Sequence, residues 1–516
     1  MELKNLFRKK SITELLKESE SGEHSLKKSL GLFSLVAIGV GCVIGTGIFV
    51  LTGKVAISNA GSGTIISMAF CGIVCILAAL CYAEFSSIIP ISGSAYTYSY
   101  ATLGELPAWI IGWDLILEYG IATAAVAIGW SAYFVKLVKL LGMGALPVEW
   151  TSSPFETNPG YINLPAIAIV AIISCLLIVG IKESTRVNNI IVVLKVIVAV
   201  FFITVGFYYV HTVYWSPIVP EYKAAVATSS GHNFETLELW KWISSWFGNE
   251  PQNGFGGWAG IFMGAAVIFF AYIGFDAVST TSEEAKNPKR DVPRAIILSL
   301  AICTVLYILM AMVFTGLVKT DGTLRLNDLS TDDKGAPLVY AFSKIPNAFI
   351  QSYAALFITI GALCGITSVC LVNLLGQSRV FFSMSRDRLL PGWIAALHSK
   401  FRTPFKGTFI TAVFVSLVAG FVPLQTIAEM GSIGTLFAFT VVAGGIIYIR
   451  KQKDIPKPLF RTPWVPFIPI LSICCSFALM LSLPVMTWIR FVVWMIIGLF
   501  IYFLYGRKKV SAGISS

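Results

Sequence analysis

Residues 39–49 read GVGCVIGTGIF, and residues 269–276 read FFAYIGFD. Each stretch lies inside a long apolar run that glycine interrupts near its middle. No water reaches the N–H and C=O groups of such an interruption inside a lipid bilayer, and each unsatisfied group costs several kcal/mol. The interruption is therefore stable only where protein, or a ligand in a cavity, satisfies those groups. Interrupted segments at matching positions in two halves of a chain are typical of the binding site of a secondary transporter.

The chain is hydrophobic along most of its length. Its 516 residues are 56% hydrophobic and 13% charged, whereas soluble domains carry about 25% charged residues. Apolar runs of about 20 residues are long enough to cross a bilayer as helices. We therefore predict an all-α integral membrane protein with twelve transmembrane helices, near residues 32–54, 62–89, 107–135, 162–181, 187–210, 259–281, 295–318, 348–377, 407–423, 428–449, 466–483 and 488–505.

The basic residues indicate how the chain is oriented. Lys and Arg number 38 and give a net charge of +11, and most of them lie in the loops on the same side as the amino terminus. Because positively charged loops stay in the cytoplasm, we expect both termini on the cytoplasmic side of the plasma membrane. Nucleic-acid binding is the competing explanation for a basic chain, but these residues are scattered over short loops between spans. We expect the lipid bilayer as a partner and no nucleic acid.

Residues 1–31 precede the first span. We expect no cleavable signal peptide, because the first apolar run begins after residue 30 and is too long for a signal sequence. Within residues 6–17 the apolar side chains are spaced like one face of a helix. This spacing predicts either a cytoplasmic amphipathic helix on the inner membrane surface or a disordered cationic tail.

Residues that could carry metal or enzyme chemistry are not grouped. The ten cysteines lie in apolar runs without metal-ligand spacing, and no phosphate loop of the GxxxxGK[ST] type occurs. We expect a monomer without enzymatic activity, cofactor, metal site or ATP-driven pumping. The four histidines are dispersed over loops and tails, at His24, His211, His232 and His398.

The first interruption is suited to an anion. Gly45, Thr46 and Gly47 offer consecutive backbone N–H groups at the start of a half-helix, where the helix dipole is positive. A carboxylate is the anion that such a site would bind in a transporter. The alternative is close helix packing, because patterns such as Gly41-xxx-Gly45 are common in membrane helices.

The second interruption is suited to a cation. A half-helix ends around Phe270 and Ile273, and freed carbonyls at a helix carboxyl end attract positive charge. An ammonium group can donate three hydrogen bonds to such carbonyls. Donors at one break that face acceptors at the other fit the zwitterion of an α-amino acid. Ordinary packing explains Phe269, Tyr272 and Phe275, whereas Phe270 could be a gate.

Three longer motifs make the chain similar to a known family. They are Gly-Thr-Gly-Ile-Phe at 45–49, Phe-Asp-Ala at 275–277 followed by Glu-Glu-Ala-Lys-Asn-Pro at 283–288, and Gln-Ser-Arg at 377–379 with Met-Ser-Arg-Asp at 384–387 and Leu-Leu-Pro at 389–391. In this order the motifs resemble the amino acid–polyamine–organocation superfamily, in its cationic amino acid transporter-like branch. The resemblance spans roughly residues 1–505.

The resemblance implies the five-plus-five inverted repeat of LeuT-like transporters, with helices 1 and 6 broken. The repeats would be 32–210 and 259–450, with helices 11 and 12 in 451–505 and a cytoplasmic tail in 506–516. It also implies that the substrate carboxylate binds the backbone of Ile44, Gly45, Thr46 and Gly47, and that its amino group binds the carbonyls of Phe270, Ala271 and Ile273.

An extracellular loop, residues 211–258, is longer than the resemblance leads one to expect. It contains acidic residues and tryptophans, for which we predict a short amphipathic helix without assigning a transport role. They are Glu235, Glu238, Trp240, Trp242 and Trp246.

Lys195 is a charged residue deep in the fifth span. It lies nine residues after Arg186, so at 1.5 Å per residue it is ~13 Å along the helix. A lysine at that depth costs roughly 2.5–3.5 kcal/mol, so we expect it to face protein or a cavity. Release of its proton would couple transport to protons, whereas the alternative is a structural ammonium bonded to helix carbonyls. The resemblance also implies a role for this residue: members of the superfamily with a lysine at this position place its ammonium where sodium-coupled members bind a sodium ion.

Acidic residues near the third and sixth spans form two further predictions. Glu118 lies deep in the third span, where it could pair with Lys195, relay a proton or contact a substrate side chain; Asp114 lies one turn earlier. Late in the sixth span, Glu283 and Glu284 could form an inner gate with Arg294, or they could be solvated at the interface.

The predicted function is therefore proton-coupled uptake of α-amino acids by alternating access. If Glu118 pairs with Lys195, the pocket is neutral, which favours neutral amino acids such as Ala, Val, Ile or Thr. The alternatives are a transporter of Arg and Lys, an amino acid exchanger, and a membrane channel or receptor. A channel usually has pore-lining rings rather than two paired breaks.

Overall fold

A computed structural model describes residues 7–9, 28–91, 93–156, 158–179, 184–224, 237–245, 254–396, 398, 403–452 and 456–507. Within these ranges the chain is mostly helical. The α-helices are α1 Leu32–Val43, α2 Thr52–Val55, α3 Thr64–Ile88, α4 Ser94–Thr102, α5 Glu105–Leu140, α6 Leu164–Val179, α7 Ser184–Tyr208, α8 Leu239–Ser245, α9 Gly257–Ile268, α10 Ala277–Thr280, α11 Pro288–Leu317, α12 Thr331–Gly335, α13 Pro337–Phe342, α14 Ala348–Arg386, α15 Phe405–Phe421, α16 Leu424–Ile449, α17 Phe467–Leu481 and α18 Val485–Ile501.

Helix falls on each of the twelve predicted apolar runs. By length and hydropathy, eight helical stretches of the described chain could cross a membrane, and three apolar helices (α6, α15 and α17) are shorter. The chain is thus an all-α, multi-pass membrane protein. Helices α11 and α14 extend beyond the predicted runs 295–318 and 348–377, because a helix can continue into water where its side chains become polar, whereas hydropathy marks only the part in lipid.

The predicted separation between the ninth and tenth spans is present. Helix α15 ends at Phe421 and α16 begins at Leu424, with Pro423 between them. Proline lacks an N–H and cannot continue a helix that arrives from its amino side. Two apolar helices that hydropathy separates poorly are therefore divided by the two residues Val422 and Pro423.

The two interrupted segments lie at the centre of the packing. Helix α1 packs against α7, α11 and α14, while α9 packs against α3. The stretch Gly257–Thr280 is almost entirely enclosed by other helices. Enclosure by protein is what an irregular backbone needs at membrane depth, because lipid offers no hydrogen-bond partners.

The structure describes part of the loop 211–258. It contains α8, in the predicted region of a short helix, and a two-residue antiparallel pair of strands, β1 Lys223–Ala224 and β2 Gly254–Phe255. Backbone hydrogen bonds from Leu239 N to Leu483 O (3.0 Å) and from Val485 N to Leu237 O (2.9 Å) attach this loop to the turn before α18.

Several predictions for loops and tails lie outside the described residues. The proposed amphipathic helix of residues 1–31 falls mostly on undescribed positions, as do Glu235, Trp246 and most of the tail 506–516.

Candidate substrate site at the paired helix breaks

Helix α1 is interrupted where the glycine pattern predicts. Its last regular backbone bond runs from Ile44 N to Val40 O (3.0 Å), and Ile44 is extended with ψ of 95°. A π-helix then spans Gly47–Leu51, and the bond from Phe49 N to Gly45 O (3.3 Å) begins the new ladder. The first N–H groups of a helix have no partner within it. The amides of residues 45–47 therefore lie at the start of a half-helix, as an anion site requires.

The second segment is interrupted in a different way. After α9, a 3₁₀ turn spans Phe269–Tyr272, and Ile273 is extended with ψ of 137°. Gly274 has φ of +113°, a conformation that residues with a Cβ rarely adopt. A Cβ at Gly274 would also lie 3.0 Å from the Cβ of Cys42. This glycine both turns the chain and lets it approach the end of α1.

The two breaks touch each other. A Cβ added to Gly47 would lie 2.2 Å from the Cα of Ala271, so the backbones are in direct contact. All seven residues predicted to bind the substrate backbone are buried: Ile44, Gly45, Thr46, Gly47, Phe270, Ala271 and Ile273. The fold thus brings residues 45–47 next to the predicted acceptors. Ile44 is the exception among the predicted donors, because its amide already donates to the carbonyl of Val40 (3.0 Å). Close packing, the alternative explanation for these glycines, does apply to Gly47.

Side chains from two other helices donate to the freed carbonyls of α1. The Lys195 ammonium, fully buried on α7, donates to the carbonyl of Gly41 and to that of Ile44 (3.0 Å). The Tyr307 hydroxyl on α11 lies within hydrogen-bond distance of the carbonyls of Val43 (2.7 Å) and Ala271 (3.0 Å). Because a hydroxyl has one proton, it donates to one of them at a time. Nothing in the sequence distinguishes Tyr307 from other tyrosines in apolar runs.

Glu118 does not pair with Lys195. Among the described residues no ion pair joins them, and Glu118 instead lies near Asp114 and Asp276. One Glu118 oxygen and both Asp114 oxygens have no hydrogen-bond partner in the described part of the chain. Asp276 accepts hydrogen bonds from the hydroxyl of Tyr119 (3.1 Å). The neutral pocket predicted from the sequence depends on an ion pair between Glu118 and Lys195. Because the structure lacks this pair among the described residues, that derivation does not hold.

The aromatic residues of the second break divide as the sequence suggests. Phe269 and Phe275 pack on the ring of Phe439, with centroids 5.7 and 5.2 Å apart, and the ring of Tyr272 packs on Tyr307. Phe270 instead faces Gly431 of α16, where an added Cβ would lie 3.1 Å from its ring. Phe270 thus lies between the break and α16, and its role as a gate stays a prediction.

The acidic segment after α10 contacts two other parts of the chain. The Glu284 carboxylate forms an ion pair with Arg379 of α14, and its backbone carbonyl accepts the amides of Ser29 and Leu30 (both 2.9 Å). Arg379 was not in the predicted gate set, whereas the predicted Arg294 is exposed. Glu283, also in that set, immediately precedes Glu284 on the same 3₁₀ turn.

We expect Arg379→Gln to raise the KM for uptake from outside about threefold, because a partly exposed ion pair contributes ~0.5–1 kcal/mol and its loss favours the inward-facing state. The matched control is Arg294→Gln, which removes the same charge from an exposed position near the start of α11. The measurement is initial-rate uptake in proteoliposomes. An equal change in both variants would assign the effect to surface charge and remove Glu284–Arg379 from the gate.

Comparison with known proteins agrees with the geometry. Residues 30–502 match the amino acid permease family. The chain is 44% identical over 506 residues to the methylthioribose transporter of Bacillus subtilis strain 168, covering 98% of this chain and 99% of that one. It is 44% identical over 507 residues to the branched-chain amino acid permease BcaP of the same organism, covering 98% of each. It is 35% identical over 462 residues to cationic amino acid transporter 4, vacuolar, of Arabidopsis thaliana, covering 89% of this chain and 69% of that one.

The interrupted helices, the motif order and these relatives agree on one conclusion: the chain belongs to the amino acid permease family of the amino acid–polyamine–organocation superfamily, and it is a membrane transporter rather than an enzyme.

Proposed function

We propose that this protein takes up neutral L-amino acids across the plasma membrane by alternating access, coupled to protons. The observation that carries the proposal is the contact of the two breaks at Gly47 and Ala271. It sets the amides of residues 45–47 beside the carbonyls of residues 270–273. Donors for a carboxylate and acceptors for an ammonium then lie on two neighbouring segments, as recognition of an α-amino acid requires.

The proposed architecture has twelve spans, with helices 1–5 and 6–10 as inverted repeats and both termini in the cytoplasm. The apolar stretch Leu32–Ile88 has 57 residues, which at 1.5 Å per residue is enough for two crossings of a bilayer core of about 30 Å. With α6, α15 and α17 counted as short spans, the number is twelve. The breaks then fall in the first helix of each repeat.

Lys195 is the proposed proton carrier. Its ammonium donates to the carbonyls of Gly41 and Ile44, at the negative end of the half-helix that precedes the first break. Loss of the proton removes the charge from this bond and weakens the attachment of α1 to α7. A change in attachment between two packed helices is a local event that can bias an inward-facing state. Glu118, the second predicted coupling residue, lies apart from Lys195.

The preference for neutral substrates rests on two observations. The deep acidic group of Asp114, Glu118 and Asp276 has no basic partner within the described chain, and a carboxyl group buried without a cation is less costly in its neutral form. A relative that is 44% identical over nearly the full length is a branched-chain amino acid permease. Uptake of Arg or Lys, with Glu118 as the counter-charge, and amino acid exchange are the alternatives.

A competition panel against labelled L-valine in proteoliposomes tests the substrate. We expect L-isoleucine, L-alanine and L-threonine to compete, and L-arginine and L-lysine to compete at least tenfold less well, because burying an uncompensated charge costs more than about 1.4 kcal/mol. Valine methyl ester should fail because it lacks the anion that residues 45–47 would bind. Methylthioribose, which lacks both ionic groups, should fail too.

Two outcomes would contradict this proposal. Equal competition by valine and its methyl ester would remove the carboxylate from the recognised groups. Uptake of methylthioribose without any amino acid uptake would assign this chain the substrate named for its other 44% identical relative.

A further inference from the structure

A cavity lies beside the half-helix that follows the first break. Its volume is about 190 Å³, the space of roughly six water molecules, which suffices for a small amino acid. Val50 and Lys54 line it from the half-helix after the first break, and Val267, less than one turn before Phe270, lines it from α9. The cavity thus adjoins both interrupted segments.

Two lysines line the cavity without a partner of their own. Neither the Lys54 nor the Lys334 ammonium forms an ion pair or a side-chain hydrogen bond with any residue of the described chain. Unpaired ammonium groups in a partly enclosed space attract anions, because low-dielectric walls focus their field. The cavity also contains one carboxylate, Glu156, whose Oε1 accepts the Leu424 amide (3.3 Å). The lining side chains therefore carry a net positive charge.

A neutral hydrogen-bonding group faces the same space. Ser153 lines the cavity and is 3% exposed, yet its hydroxyl has no partner among the described residues. Buried hydroxyls normally have a hydrogen-bond partner, and an exception calls for a bound group or water. The hydroxyl can donate to a carboxylate oxygen, as an ammonium does.

The short helix α12, which carries Lys334, is held against α5 beside the cavity. The preceding residue, Asp333, forms an ion pair with Lys136 of α5 (2.7 Å). The following residue, Gly335, is so close to α5 that an added Cβ would lie 2.7 Å from the Cβ of Ala132. Contacts on both sides hold the backbone of Lys334 in place, so its flexible side chain starts from a fixed point of the cavity wall.

We propose that this cavity is an outer carboxylate-binding subsite, in which Lys54, Lys334 and Ser153 hold the anionic group of an amino acid before it reaches Gly45–Gly47. The inference rests on the proposed amino acid transport and adds to it a second, weaker substrate site. Its role is capture: it raises the local concentration of substrate at the entrance and leaves the maximal rate to the central site.

The test is uptake of labelled L-valine by the double variant Lys54→Gln, Lys334→Gln at low and high ionic strength. Without the two ammonium groups, KM for L-valine should rise about tenfold at low salt while the maximal rate stays unchanged. This is the kinetic result of losing a contact that stabilises the ground state and the transition state equally. The wild-type KM should rise with salt, because the screening length falls from ~30 Å at 0.01 M to ~10 Å at 0.1 M, and the variant should lose this dependence. The arginine pair Lys54→Arg, Lys334→Arg should restore it.

Lys344→Gln is the matched control, because Lys344 is exposed on the same loop between α11 and α14 and does not line the cavity. A KM that stays at the wild-type value in the double variant would overturn the subsite. The same rise in Lys344→Gln would overturn it too, by assigning the effect to overall surface charge. A reduced maximal rate at unchanged KM would give these lysines a role in the conformational cycle instead. If the wild-type protein takes up no amino acid, the proposed function fails, which is a distinguishable result.

Discussion

Lys195→Ala is expected to abolish accumulation of L-valine driven by a proton gradient, while exchange of labelled for unlabelled valine continues. The lysine is fully buried, and its ammonium donates to the carbonyls of Gly41 and Ile44 at the end of α1. The substrate carboxylate is instead proposed to bind the amides of residues 45–47. Without an ionisable group at this position, proton binding no longer alters the attachment of α1 to α7. Binding should weaken only through the loss of donors to the Gly41 and Ile44 carbonyls.

The Lys195→Arg variant distinguishes the effect of a positive charge from the effect of releasing a proton. Lys195→Arg keeps a positive charge but does not release its proton at physiological pH, so gradient-driven accumulation should fail here as well. Lys319→Ala is the control, because Lys319 is an exposed lysine in the loop after α11. Both uptake and exchange are measured in the same proteoliposomes. Full proton-driven accumulation by Lys195→Ala would exclude Lys195 as the proton carrier.

Gly45→Val is expected to weaken substrate binding by roughly 100-fold and to stop uptake, because hydrogen bonds to a charged group contribute about 1.5–3 kcal/mol each and a branched side chain would obstruct the amides of residues 45–47. An added Cβ at Gly45 lies 3.0 Å from a methyl group of Val369, a side chain that can shift. The fold should therefore tolerate the change better than the site does. Titration calorimetry on the purified protein gives the affinity.

Valine substitutions at two other glycines help to interpret the Gly45→Val result. Gly444 has no atom within 4 Å of an added Cβ, so Gly444→Val serves as the control for introducing valine into a membrane helix. Gly47→Val is not informative about binding, because its Cβ would collide with the backbone of Ala271 and disturb packing directly. Wild-type affinity in a folded Gly45→Val protein would refute the backbone carboxylate site.

The sequence predicts the breaks well because their cause is local. Glycines at 45, 47 and 274 lie within apolar runs, and the structure interrupts the helices at Ile44 and Ile273. The burial of Lys195 also follows from local information, since its depth can be counted from the end of the span. The two roles considered for Lys195, proton coupling and a structural bond to helix carbonyls, do not exclude each other. An ammonium bonded to helix carbonyls can also be the proton carrier.

The partners of these residues could not be predicted, because they come from helices far apart in the chain. Tyr307 approaches Ala271 and Val43 only through the packing of α11 beside both breaks. Arg379 reaches Glu284 from α14, 95 residues away, while the nearer Arg294 is exposed. The contact of Gly47 with Ala271 likewise depends on how two segments cross. The spacing of residues in a sequence predicts which side of a helix is buried, but it does not predict which residue of another helix contacts that side.

Proton coupling at the paired breaks is tested most directly by uptake of labelled L-valine into proteoliposomes that hold an inward proton gradient, with and without sodium. We expect accumulation above the outside concentration that requires the proton gradient, collapses with a protonophore and is unchanged when sodium is removed. Accumulation that requires a sodium gradient at fixed pH, or uptake that never exceeds equilibrium under the proton gradient, would contradict proton-coupled transport through Lys195.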